Sequence, residues 1–376
     1  MVHRAELPPM RAASTTDDFA WAAVVEAVDA EPPPPAAHAP PGMSWSSYWH
    51  GWRPVAAQLR SASTHCAVAV YTVAVGSSVL GAPPEKVEKR CLFLLTPANT
   101  SLLGHAAHRW THVRVPAPPG DAHGWVRRHS RVPKILSHAF FGATPTVYVD
   151  AKRAWPGSQH SAEGLVESAL ARCNASLAAF SHPRFHLEPC EVEPTLAEFD
   201  AIQPHQTWRL DELQAQAAAF RADASYLLAE QLGRNRMIDG SIIIRRGTRW
   251  LAAFEVEWFR AYLRGADRDQ PAFAFAFNRQ VIVQHAYSVD ASCDPSDPRA
   301  QVHVMRYNPA LPGPAWASVA AAPWAFFQCM DGSGSFCEAG TCAIPDHGWA
   351  GAGALAVAGL GVSLFLWYAL RKNQLL

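Results

Sequence analysis

The sequence predicts an α/β domain built on an open, mainly parallel twisted sheet with helices on both faces, followed by a C-terminal transmembrane helix. Three observations carry this. Cys66 to Gly76 (CAVAVYTVAVG) is a near-continuous apolar and β-branched run ending in glycine, the pattern of a parallel strand covered on both faces. Further runs of strand length alternate with stretches of helical periodicity. Gly348 to Leu370 is 23 residues without a charge. At ~1.5 Å per residue a helix of that length spans a ~30 Å hydrocarbon core.

Taken in order, residues 1–43 read as a disordered, Pro-rich tail, densest in EPPPPAAHAPPG (Glu31 to Gly42), a composition that favours extended polyproline over a core. Residues 44–328 contain no second long Pro-rich linker and read as one domain. Cys91 to Leu95 and Trp110 to Pro116 are strands, the second alternating and so nearer an edge. Val132 to Phe141 reads as one helix with Pro133 in its first turn, where a missing N–H costs little. Thr146 to Asp150 is a strand, Ser161 to Arg172 and Leu210 to Leu232 are helical, and Ser241 to Arg246 is a strand. Trp250 to Arg264 is an amphipathic helix, and ADRDQPAF (Ala266 to Phe273) opens another. A Cys-rich juxtamembrane segment (329–347) holds Cys329, Cys337 and Cys342; the membrane helix (348–370) and a short tail (371–376) follow.

With 32 basic against 32 acidic residues, no nucleic-acid partner is expected, and 49% hydrophobic residues suffice for a sizeable core. Arg371 and Lys372 after the apolar run place the main domain in the lumen by the positive-inside tendency, with Trp349, Trp367 and Tyr368 near the two interfaces. The sequons at Asn99 and Asn174 and eight cysteines agree with an oxidising, secretory compartment. The run FAWAAVVEAV (Phe19 to Val28) points the other way: it follows Asp17 and Asp18 and contains Glu26, the wrong flanks for a signal peptide. The lumen is the expectation retained.

In open α/β sheets ligands bind at the carboxyl ends of strands, and Val147 to Val149 runs straight into Asp150 and then Lys152. Around that end, Arg131, Lys134 and His138 are spaced to share one helical face. His182 and Arg184 close an apolar run, Asp239-Gly240 precedes a strand that closes in Arg245 and Arg246, and Asp269 sits at a helix start between Arg268 and Gln270. Each signal is bland alone. Such cations are ordinarily a solvated stripe and such carboxylates ordinarily caps.

Their order is more informative. VYTVAVG, RVPKILSHAFF, TVYVDAK, AFSHPRFH, MIDGSIIIRR, Trp258 and RDQPAF together resemble a glycosyltransferase-like family, over roughly Cys66 to Phe277. That family contains the plant mucilage-pectin hexosyltransferases and the turgor-regulating protein described as an alkaline ceramidase. The resemblance implies a GT-A-like fold and a hexose transferred from a nucleotide-sugar donor to a polysaccharide or glycoconjugate acceptor, in the Golgi or elsewhere in the secretory pathway. It implies Lys134, His138, Lys152 and Arg245 on the donor phosphates, and Asp150 on the ribose or a metal. It further implies Asp269 as base or acceptor ligand, with His182, Arg184, Asp239, Arg268 and Gln270 as acceptor or supporting residues.

Three departures qualify it. The usual Asp-x-Asp clamp for Mn²⁺ or Mg²⁺ has Lys152 in place of its second acid, so either the metal has other ligands or Lys152 replaces its charge as a fixed cation, the second being the expectation retained. Ala151 stands where the family has Gly, which matters if that position requires φ > 0. The anchor is C-terminal, whereas Golgi transferases typically have an N-terminal one. The other readings are a non-catalytic sugar-nucleotide or glycan binder and a ceramidase-type hydrolase, the latter without a His-Glu-x-x-His or G-x-S-x-G motif.

Overall fold

β1 (Ala69–Val73) and β3 (Leu92–Thr96) have every residue buried, which requires cover on both faces of the sheet and explains their unbroken apolar runs. The computed structural model describes residues 45–75, 78–81, 83–98, 100, 102–103, 105–118, 123–151, 161–171, 174–181, 210–223, 238–265, 268–285, 301–305, 329–330 and 336–337. All lie in the unit Met1–Glu338. The remaining strands are β2 (Ser78–Val79), β4 (Leu102–Leu103), β5 (Thr111–Arg114), β6 (Thr146–Val149), β7 (Leu177–Ser181), β8 (Ile238–Arg245) and β9 (Val302–Met305). Two short strands, β10 (Cys329–Met330) and β11 (Phe336–Cys337), pair antiparallel.

Seven strands form the main sheet, in the order β5-β3-β1-β6-β8-β7-β9, while β2 and β4 form a separate parallel pair. Among the described strands of the main sheet only β8 runs antiparallel to its neighbours; the other pairings are parallel. β5, the alternating strand, is an edge as expected. The one reversed strand decides the site. Because β8 opposes β6, its beginning (Ile238, Asp239) lies at the carboxyl end of β6, and the Asp150 N–H donates to the Ser241 carbonyl at 2.8 Å.

Among the described residues seven α-helices flank the sheet: α1 (Trp45–Ser63), α2 (His123–Ile135), α3 (Ser137–Phe141), α4 (Ala162–Leu170), α5 (Leu210–Ala222), α6 (Arg249–Leu263) and α7 (Asp269–His285). α4 packs against β6, β7, β8 and β9, while α2, α3, α6 and α7 pack together, α2 reaching β1 and α7 reaching β8. Ser161 and Thr248 cap α4 and α6 by accepting the N–H groups of Gly164 and Leu251. The single helix expected over Val132 to Phe141 is instead two: α2 begins earlier, at His123, and the chain breaks at Leu136 (φ −96°, ψ 46°). A disulfide joins Cys66 to Cys91, a pairing that spacing alone does not reveal. Among the described residues no helix is long and apolar enough to cross a membrane, and 348–370 lie outside them.

Candidate active site

Pro133 stands in the last turn of α2 and not in a first turn, so its ring sits just before a helix end. The Val132 carbonyl still accepts the Leu136 N–H (3.0 Å), but the break at Leu136 frees the Pro133 and Lys134 carbonyls. Buried side chains take them up. The Tyr71 hydroxyl donates to the Pro133 carbonyl (3.0 Å), and Arg245 Nη2 donates to the Lys134 carbonyl (2.5 Å). Arg245 also reaches the Tyr71 oxygen through Nη1 (3.1 Å) and Glu255 Oε1 through Nε (2.7 Å). Glu255, fully buried, accepts three more bonds, from the Ser137 hydroxyl (2.7 Å), the His138 N–H (2.9 Å) and His138 Nδ1 (2.6 Å). An ionic cluster thus holds the end of α2 from beneath.

Above it lies a second cluster. Lys134, only 2% exposed, places Nζ 2.6 Å from Asp269 Oδ2, 4.0 Å from Asp150 Oδ1 and 5.2 Å from the centre of the Tyr148 ring. Arg131, one turn earlier on α2, places Nε 3.0 Å from Asp269 Oδ1. Asp269 is the first residue of α7, where the helix dipole also favours an anion. Its carbonyl accepts the Trp258 indole N–H at 2.8 Å, which ties that helix start to α6. Burial opposes ionisation of Asp269, but the Arg131 guanidinium and Lys134 ammonium outweigh it and hold the carboxyl well below the usual range. The Tyr148 hydroxyl donates to Asp150 Oδ1 at 2.5 Å; burial first and the Asp150 charge second push this phenol well above its ordinary value.

Between Ala179 and Phe180 the β7–β8 register jumps, because Ala179 pairs with Ile243 and Phe180 with Asp239. β8 therefore bulges through Gly240 to Ile242, as strands often do beside active sites. The Asp239 carboxylate accepts the Ser241 N–H (3.0 Å), and Gly240 presses against the ion pair. A Cβ there would meet Lys134 Nζ at 2.7 Å and Asp269 Oδ2 at 3.2 Å. Any side chain there would force the end of Lys134 to shift.

Of the residues singled out from sequence, Asp150, Lys134 and Asp269 converge at the carboxyl end of β6, with the Asp239-Gly240 bulge alongside. Arg268 and Gln270 flank Asp269, both partly exposed. His138 and Arg245 do not share that surface. The helix break carries His138 off the face of Lys134, and the antiparallel course of β8 puts Arg245 at the far end from Asp239; both are locked on Glu255. Lys152, His182 and Arg184 lie outside the described residues. Ala151 does not have a positive φ, so the substitution of Gly there introduces no left-handed strain.

Arg131, Gly240 and Trp258 are noted along the chain without a role, and Tyr148 and Glu255 are not singled out at all. One sequence signal pointed to Glu255: an acid on the apolar face of α6, four residues after Leu251 and three before Trp258.

Among the described residues no three His, Cys, Asp or Glu side chains group to hold a metal. The chemistry of the donor set agrees. Asp150 Oδ1 is engaged by Tyr148, and both Asp269 oxygens face cations, so these residues do not fit a divalent ion.

Residues 108–293 match the family described as TOD1/MUCI70, glycosyltransferase-like domain. No curated protein and no solved structure matches the chain.

Proposed function

Because residues 108–293 belong to the TOD1/MUCI70 glycosyltransferase-like family, we propose that this chain transfers a hexose from a nucleotide-sugar to a polysaccharide or glycoconjugate acceptor. In this reading the domain is GT-A-like, faces the lumen of the Golgi or another secretory compartment, and is anchored by 348–370. The observation that carries it is the convergence of two cations, Lys134 and Arg131, beside Asp150 at the carboxyl end of a mainly parallel sheet.

The acceptor oxygen bonds to the sugar's anomeric carbon as the bond to the diphosphate breaks, and the electron pair leaves on the phosphate oxygen. Lys134, buried, and Arg131, partly exposed, would meet that charge. Asp150, 21% exposed and bonded by Tyr148, would take a ribose hydroxyl.

One observation favours a second reading, donor binding without turnover. Asp269 is held ionised by two cations and is therefore a weak base. A single experiment weighs both. The full chain is offered a panel of UDP- and GDP-sugars, with thermal shift, donor hydrolysis and transfer followed with and without Mn²⁺. Binding with transfer supports the enzyme, binding alone supports the second reading, and binding of none sinks both.

A further inference from the structure

In the free protein the site is electrically closed. Arg131 and Lys134 bring two positive charges, Asp269 and Asp150 two negative ones, and Asp269 takes the nearest contact with each cation. A diphosphate therefore meets no free positive charge among these four side chains. It gains Lys134 and Arg131 only by replacing the carboxylate that holds them.

We infer that Asp269 is a resident stand-in for the donor's phosphate: the incoming diphosphate displaces its carboxylate from Arg131 and Lys134. This rests on the glycosyltransferase reading and deepens it by stating what the donor must do to bind.

The geometry suits an exchange. The Asp269 carbonyl accepts from Trp258, which holds its backbone, so the exchange would proceed by rotation of the side chain about that fixed point. The position it vacates lies at the start of the 17-residue helix α7, whose dipole favours an anion there as well. Gly240 presents no side chain to obstruct the change.

The exchange has a chemical consequence. Burial by itself raises the Asp269 pKa, and the two cations reverse that effect. Once they turn to phosphate, the carboxylate regains basicity and can accept the proton released by the acceptor hydroxyl as the new glycosidic bond forms. Donor binding then precedes and enables proton removal. The weak base of the free protein is a state the donor ends.

The probe is inorganic pyrophosphate, titrated against the full chain and its Asp269→Asn and Asp269→Glu variants. Asp269→Asn removes the competing charge, so pyrophosphate should bind about tenfold to a hundredfold tighter. Asp269→Glu keeps the charge and should stay near the unmodified protein. Equal or weaker binding by Asp269→Asn, or an equal gain in both variants, overturns the inference. If Asp269→Asn melts early, pyrophosphate should restore much of the lost melting temperature, since it supplies the missing anion; no restoration also overturns it. The nucleotide-sugar panel is a separate arm. Tighter pyrophosphate binding by Asp269→Asn without binding of any sugar nucleotide leaves the exchange standing and removes the transferase.

Discussion

Lys134 is the residue on which both clusters bear: its carbonyl is held by Arg245 from below and its ammonium by Asp269 above. Lys134→Met should weaken donor binding about tenfold to a hundredfold, the value of one or two charge-assisted bonds. It should also cost about 3–5 kcal/mol of stability, because Asp269 then loses a buried partner. Isothermal titration and thermal melts check the two halves. Gly240→Ala tests the same pair without removing a charge: the new methyl collides with the end of Lys134 and pushes it off Asp269, so transfer and melting temperature should both fall, the latter by less than in Lys134→Met. His129 adds a pH dependence. Its ring packs 4.5 Å from Trp52 and bonds the Pro116 carbonyl, and burial lowers its pKa to about 4. The unfolded imidazole titrates near 6.5, so stability is full above that pH and declines as pH falls to about 4, by roughly 3 kcal/mol. Asp269 works the same way at lower pH, contributing above about 4 and losing its contribution below. Melts between pH 7 and pH 4.5 should show the first decline, and His129→Gln should flatten it.

At the scale of elements, the junction between α2 and α3 is the device that makes the site. A continuous helix would satisfy its own carbonyls; a broken one offers them to Arg245 and Tyr71, which fix where Lys134 leaves the backbone. α6 supplies the balancing acid, Glu255, and the indole of Trp258 that seats α7. Glu255→Ala strands Arg245 in a dry core and should lower stability by about 3–5 kcal/mol, a fall in melting temperature on the order of 10 °C. Calorimetry measures it. A melting temperature within about 2 °C of the unmodified protein would mean that Arg245 finds another partner.

For the whole molecule, the Cys66–Cys91 disulfide closes a loop of 25 residues between the start of β1 and the turn into β3. A loop that size is worth roughly 3 kcal/mol through the unfolded chain. Reduction, or Cys66→Ala with Cys91→Ala, should lower the melting temperature by several degrees. That dependence accords with folding in an oxidising lumen, where the proposed topology puts the domain. Asn174 is exposed, and an endoglycosidase-sensitive mass shift that disappears in Asn174→Gln would establish the luminal side directly. Asn99 lies outside the described residues.

Local chemistry is written along the chain, and so it was legible there. Buried strands announced themselves as unbroken apolar runs, β5 as an edge by alternation, and Asp150 as a strand end. The ordered blocks pointed to the family that residues 108–293 match. What no local pattern carries is direction and partnership. Nothing in SIIIRR says that its strand runs against its neighbours, yet that reversal brings Asp239 to Asp150 and removes Arg245 from the site. Helical spacing placed His138 beside Lys134, and a break of one residue undid it. Spacing also could not say that Asp269, 135 residues after Lys134 in the chain, would close on it at 2.6 Å. The sequence by itself singled out Asp150, Lys134 and Asp269 and the strand whose end carries the first of them. Tertiary structure decided which cation meets which acid, because a charge in a dry site is tolerable only against its partner, and partners are chosen by packing across the fold.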